Sequence, residues 1–214
     1  MPGPRRLVLV PAGCVLLLAG ALPSAAGAER PPPETVVVHD SRASAPVVDI
    51  SQVRLDASWY WDSVQSVRVR VPQGFRPGHR LTAWFDLDGD ATPDGHVTLQ
   101  LRTPTRPHGT ALRKVQEFRV GGGWSRGGKR VSCTTPEGDR PAAGRIRSGQ
   151  RSVVLALDLW SCLRAPTPGA VDPGSWRAAV RVAKGGQADM APSRRRWSAP
   201  VAGWGPCDPS GGRC

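Results

Sequence analysis

The sequence is short of the residue types that most hydrolases, metal proteins and nucleic-acid binders depend on. Only four glutamates occur, Glu29, Glu34, Glu117 and Glu137, and their scatter gives no acid/base pair of the glycosidase kind. No Cys-x-x-Cys pair or Cys/His cluster is present, which argues against zinc. His39, His79, His96 and His108 are dispersed, and only His96 lies beside other chemistry. Lysine is limited to Lys114, Lys129 and Lys184, and no aromatic-basic ladder of the single-strand-binding type appears. Gly123-Trp124-Ser125-Arg126-Gly127 satisfies the Gly-x-Ser-x-Gly pattern, but no helix follows it, so it is not read as a nucleophile elbow. A single tyrosine stands against eight tryptophans.

Long apolar runs are also missing. The N-terminal run is broken at Pro11, and its uninterrupted part, Ala12 to Leu22, falls short of the roughly 20 residues a membrane-spanning helix needs. The order Arg5-Arg6, apolar run, then Ala26-Gly27-Ala28 is that of a secretory signal peptide, with cleavage expected after Ala28. Residues 1–28 are therefore read as a leader and the mature chain as secreted. Residues 29–34, with Pro31-Pro32-Pro33, form an extended spacer. Residues 35–202 suffice for one sandwich-sized domain. Residues 203–214 are read as a tail closed by a disulfide.

Four cysteines remain in the mature chain, Cys133, Cys162, Cys207 and Cys214, an even number that suits two disulfides in an exported protein. Three connectivities exist. Cys133–Cys162 with Cys207–Cys214 is preferred, because the second pair closes a short Gly/Pro/Ser loop. The first would contribute about 3–4 kcal/mol by constraining the unfolded chain. Losing Arg5 and Arg6 with the leader lowers the formal net charge from +12 to +10. Such a balance draws a protein to polyanions, although arginine-rich, lysine-poor usage also follows from high-GC coding. Export disfavours nucleic acid; anionic wall polymers and membrane surfaces stay open, and an anionic cell-wall polymer or polysaccharide is the expected partner.

What is present is alternation. Val36-Val37-Val38, Asp49 to Leu55, Val67 to Val71, Leu81 to Phe85, Val97 to Leu101, Leu112 to Val120, Arg130 to Cys133, Gly144 to Arg147, Val153 to Leu157 and Trp176 to Val182 read as short strands between Gly/Pro turns. The 112–120 stretch fits a helix nearly as well, and the 144–147 and 153–157 strands should form a hairpin. Trp176, Ala178, Val180 and Val182 share one face. The expected fold is all-β, a single antiparallel β-sandwich of about nine strands stapled by disulfides. Trp59, Trp84, Trp160 and Trp176 are expected to fill its core. Trp59 and Trp61, on one face of an extended segment, are alternatively a sugar-stacking platform.

The concentrated chemistry is Asp86-Leu87-Asp88-Gly89-Asp90-Ala91-Thr92-Pro93-Asp94-Gly95, placed at a hairpin tip by the strands around it. Asp86, Asp88, Asp90 and Asp94 fall at positions 1, 3, 5 and 9 of a loop, which suits the hard oxygen ligands of calcium. Position 12 is Val97, so this is no EF-hand and needs a ligand from elsewhere, with Asp40 or Asp49 as donors. The competing reading is a solvated turn, since Asp and Gly are ordinary turn residues.

Taken together, Asp49-Ile50, Val53-Arg54-Leu55, the Phe85 to Gly95 loop, Leu157-Asp158-Leu159-Trp160-Ser161-Cys162-Leu163 and Arg177 to Val182 leading into Asp189-Met190-Ala191-Pro192 resemble a family of exported actinobacterial proteins of unknown function. These are single β-sandwich domains comparable to carbohydrate-binding or DOMON-like sandwiches. The resemblance covers most of residues 35–202 and implies no catalytic residues. Its members often carry Asp-x-Asp-x-Asp-Gly-x-x-Asp, and here Ala91 stands in the glycine position. The function expected is a non-catalytic exported binding or cell-surface interaction domain, with calcium as a stabilising ion. The alternative is a secreted hydrolase with an unrecognised site.

Overall fold

Val53, Leu55, Val67, Val69, Val153, Leu155 and Leu157 fall at every second position of their strands, and all of them are buried. In the computed structural model this period of two builds β2 (Gln52–Asp56), β3 (Gln65–Arg70) and β8 (Ser152–Leu157). With β1 (Thr35–His39) they form a four-stranded sheet in the order β1-β2-β3-β8. The structure describes residues 32–40, 47–57, 64–102, 113–132, 146, 148–159, 162, 174–193 and 195–203, which lie in one unit, Pro31–Cys214. The expected signal peptide, Trp59, Trp61, Trp160, Cys133, Cys207 and Cys214 fall outside the described residues, and each expected disulfide includes at least one of them.

The second sheet contains β4 (Arg80–Asp86), β5 (Gly95–Arg102), β6 (Arg113–Val120), β7 (Lys129–Val131), β9 (Ser175–Lys184) and β10 (Gln187–Ala191), ordered β10-β9-β4-β5-β6-β7. The short β11 (Val201–Ala202) pairs with the start of β9. Every pairing in both sheets is antiparallel. One hydrophobic cluster joins Val53, Leu55, Val67 and Val69 of the first sheet to Leu81, Phe85, Val97, Leu99, Val180 and Val182 of the second. Two antiparallel sheets over a shared core are consistent with the β-sandwich that the alternation predicts.

Trp176, Ala178, Val180 and Val182 are buried together in that cluster, as their spacing requires. The 112–120 stretch is a strand, β6. Three details differ from the sequence reading. Eleven strands are described rather than about nine, because β10 and β11 follow β9. The β9–β10 hairpin turns on Gly185 and Gly186, at φ +54° and +83°, the positive angles of a two-residue type I′ turn. The strand expected at 144–147, and with it the hairpin to β8, lies mostly outside the described residues; among them β8 pairs with β3.

The third difference concerns Trp84. It is buried, yet it belongs to the outer face of the seven-stranded sheet and not to the sandwich core. Leu81, Ala83 and Phe85 point into the core, so period two sends Thr82, Trp84 and Asp86 the other way. They are nonetheless buried, so this outer face is no wet surface. Among the described residues no helix is long and apolar enough to cross a membrane.

Candidate functional site

The acidic loop sits where its flanking strands put it, at the tip of the β4–β5 hairpin, with Phe85 and Gly95 as the last paired residues. Its carboxylates mostly fold the loop on itself. The backbone N–H groups of Gly89 and Ala91 donate to Asp86 at 2.7 and 3.2 Å. Those of Asp90, Thr92 and Leu87 donate to Asp88 at 3.1 Å, Asp90 at 2.6 Å and Asp94 at 2.6 Å. This is Asx-turn chemistry, in which a short side chain caps the backbone just beyond it. Asp86, Asp88 and Asp94 bring one carboxylate oxygen each to within 4.8 Å of one another. Asp90 is not part of that group.

Asp86 is buried, and its counter-charge is Arg177, its register partner on β9, whose guanidinium donates to Asp86 Oδ2. Asp40 and Asp49 do not complete the loop. The charges that act on Asp49 are those of Asp189 and Asp40, with burial the larger influence on its raised pKa. Asp189 pairs with Val182, which pairs with Leu81, five residues along β4 from Asp86. At about 3.3 Å per residue that is roughly 17 Å away. Within the loop, burial first, then the charges of Asp88, Asp86 and Asp90, push the Asp94 pKa up to about 6, against a lowering by the Leu87 N–H.

A column of aromatic rings stands beside the loop. Trp84 neighbours Trp124 at 5.9 Å, Trp124 stacks on Trp197 at 4.7 Å, and Arg177 lies 6.0 Å over the Trp197 ring. The Trp197 indole N–H donates to the Ala91 carbonyl at 3.0 Å, tying the column to the loop tip. Trp197 lies in the segment between β10 and β11, next to Ser198, whose N–H donates to the Ala178 carbonyl of β9 at 3.1 Å. Trp124 comes from the 121–128 loop, held tight at Gly128: a Cβ there would lie 2.5 Å from the Val120 carbonyl oxygen, at φ +95°. Trp124 has an indole on either side and Trp197 lies between Trp124 and Arg177. The column therefore covers part of the sheet and braces the loop, with Trp124 and Trp197 half-buried.

Next to the column the same outer face opens into a cleft of about 300 Å³, lined by Arg80, His96, Thr98, Gln100, Arg102, Glu117 and Arg126. The β5 residues share that face because Val97, Leu99 and Leu101 take the core side. Register sets Gln100 beside Arg80 and Thr98 beside Glu117. Among the described residues no carboxylate pairs with Arg80, Arg102, Arg126 or Arg181. Burial, and then the neighbouring charge of Arg126, lowers the Arg181 pKa. His96 is buried with Nδ1 unpartnered, and burial followed by the Arg119 charge lowers its pKa, against a rise from Glu117. The Ser125 hydroxyl bonds the Gly122 carbonyl, so the Gly-x-Ser-x-Gly serine is engaged in its own loop.

Sequence reasoning found the hairpin tip and its acids but missed Arg177, the tryptophan column and the cleft. Strand alternation marks Arg177, Thr98 and Gln100 as outward-facing. Only the order β9-β4-β5-β6 shows that they share a surface. No family model, curated protein or solved structure matches this chain.

Proposed function

We propose that this chain is a non-catalytic, exported binding or surface-interaction domain whose ligand is an anionic cell-wall polymer or polysaccharide. The observation that supports it most is the cleft on the outer face, with Arg80, Arg102 and Arg126 in its lining and Arg181 close by. Guanidiniums are suited to carboxylate, sulfate and phosphate groups, which they bind as planar forks. A hydrolase would require a base oriented by an acid, or a pair of carboxylates across the bond to be cut. The cleft joins His96 to a single carboxylate, Glu117, and His96 Nδ1 has no partner among the described residues.

The test is binding of the mature chain to acidic and neutral polysaccharides across a salt series. The acidic polymer should bind, with log affinity falling linearly in log salt, and the neutral one should not. Equal binding of both, or a salt-independent affinity, defeats the reading, and turnover of the bound polymer would favour the hydrolase alternative.

The same proposal makes the Asp86–Gly95 loop a structural clip, with Asp86, Asp88 and Asp94 as the calcium ligands and Cys133–Cys162 and Cys207–Cys214 as staples. A melt with calcium against chelator checks the ion. Occupancy at 100 times the dissociation constant stabilises by about 2.7 kcal/mol. Identical melts leave Arg177 as the loop's counter-charge and end the calcium reading.

A further inference from the structure

A site built only for charge would be lined only by cations. Here Glu117 shares the cleft with Arg80, Arg102 and Arg126, and Thr98, Gln100 and His96 complete the lining. An ionised carboxylate accepts hydrogen bonds and a guanidinium donates them, so the two ask for different ligand groups. A chain of phosphates or sulfates offers acceptors alone; it gains from the arginines and is repelled by Glu117. A ligand with an acidic group next to hydroxyls satisfies both demands. Its acid meets a guanidinium fork, and its hydroxyls donate to Glu117 and exchange hydrogen bonds with Thr98 and Gln100.

Glu117 has acceptor capacity to spare. Its contact with Arg119 is loose, at 3.7 Å, and its side chain is 35% exposed. The cleft, about 300 Å³, is at the small end of ligand pockets, which run from about 300 to 1,000 Å³. That suits one or two sugar units and not a long stretch of chain.

Resting on the reading that the polymer is anionic, we infer that the cleft holds a uronic-acid residue of a polysaccharide, its carboxylate on the arginines and its ring hydroxyls on Glu117, Thr98 and Gln100. No bond is made or broken. Selectivity comes from the acceptor among the cations, which rewards a hydroxylated acid and penalises a bare polyanion.

Calorimetric titration of the mature chain with matched probes tests this: oligogalacturonate, oligoglucuronate, the same oligosaccharides with their carboxyls reduced to alcohols, and a linear polyphosphate of equal charge. At least one uronate should bind about tenfold tighter than its reduced form and than polyphosphate. Glu117→Gln should weaken the uronate about tenfold, as loss of a charge-assisted bond does, and leave polyphosphate equal or tighter. Arg102→Gln should weaken both. If polyphosphate binds as tightly as either uronate and Glu117→Gln changes neither, the uronate inference is overturned while the anionic-polymer reading stands. Equal binding of the reduced oligosaccharides, or no binding by any probe, overturns both. The wild-type comparison decides the matter even where a variant folds poorly.

Discussion

Ala91 sits at φ +69°, in the left-handed region that an L side chain enters only at a cost. For a non-glycine residue that cost is about 1–2 kcal/mol. Ala91→Gly removes it, and the greater freedom of glycine in the unfolded chain returns about 0.4–1 kcal/mol in the opposite direction. Both interactions made at this residue use the backbone. Its N–H donates to Asp86 Oδ2 at 3.2 Å and its carbonyl accepts from Trp197 at 3.0 Å, so both survive the change. Ala91 is exposed, so little packing is lost. The expected net effect is a gain of about 0.5–1 kcal/mol, or about 1–4 °C in melting temperature for a domain of this size. Ala91→Val is the companion, since a β-branched side chain tolerates this conformation least, and it should lose stability. Urea unfolding of both variants, followed by tryptophan fluorescence in chelator, reads the two shifts. If Ala91→Gly is neutral or destabilising while Ala91→Val is harmless, the tip is not held in the left-handed conformation and the argument fails.

Arg177→Met should cost about 3 kcal/mol in urea unfolding, because it leaves Asp86 buried and ionised without its counter-charge; a loss under about 1 kcal/mol would show that the backbone N–H groups suffice. The raised Asp94 carboxyl, near 6 when folded against 3.8 unfolded, holds an extra proton in the native state. Its stabilisation is complete below pH 3.8 and is lost as pH rises through about 6. The melting difference between wild type and Asp94→Asn should therefore move against wild type from pH 4 to 6, and bound calcium, which favours the ionised form, should reverse that slope. Gly128→Ala should destabilise by about 1–3 kcal/mol, since the left-handed conformation and the contact with the Val120 carbonyl cannot both be kept. The same change should weaken polyanion binding by displacing Arg126, and unaltered affinity would remove Arg126 from the binding face.

The elements set by local chemistry were legible: the strand faces of β2, β3, β8 and β9, the β6 strand, and the hairpin that carries the acids. Each follows from period-two alternation or turn residues within a dozen positions. The Gly185-Gly186 turn that leads into β10 is equally local, a two-residue glycine pair between alternating segments. The rest depends on which strands become neighbours. Trp84 reads as core because large apolar residues usually are, but alternation within β4 assigns it to the other face, and only the covering by Trp124 and Trp197 explains why that face is buried. Nothing local links Arg177 to Asp86, 91 positions away in sequence, until β9 lies beside β4.

That neighbourhood changes what the acidic loop means. Read alone, Asp86, Asp88, Asp90 and Asp94 repel one another and call for a cation. In the folded chain the repulsion is met by backbone N–H donors and by the Arg177 guanidinium, and what remains of it adds to burial in pushing the Asp94 pKa up to about 6. Arg177 also stacks on Trp197, which anchors Ala91, so the group that neutralises the loop also fixes its tip. The acids thus organise one end of the outer face, and Arg80, Arg102 and Arg126, with no carboxylate partner among the described residues, line the cleft on the same face. On the proposed reading, a polymer drawn to that charge meets a cleft whose lining is polar, so its recognition rests on that lining.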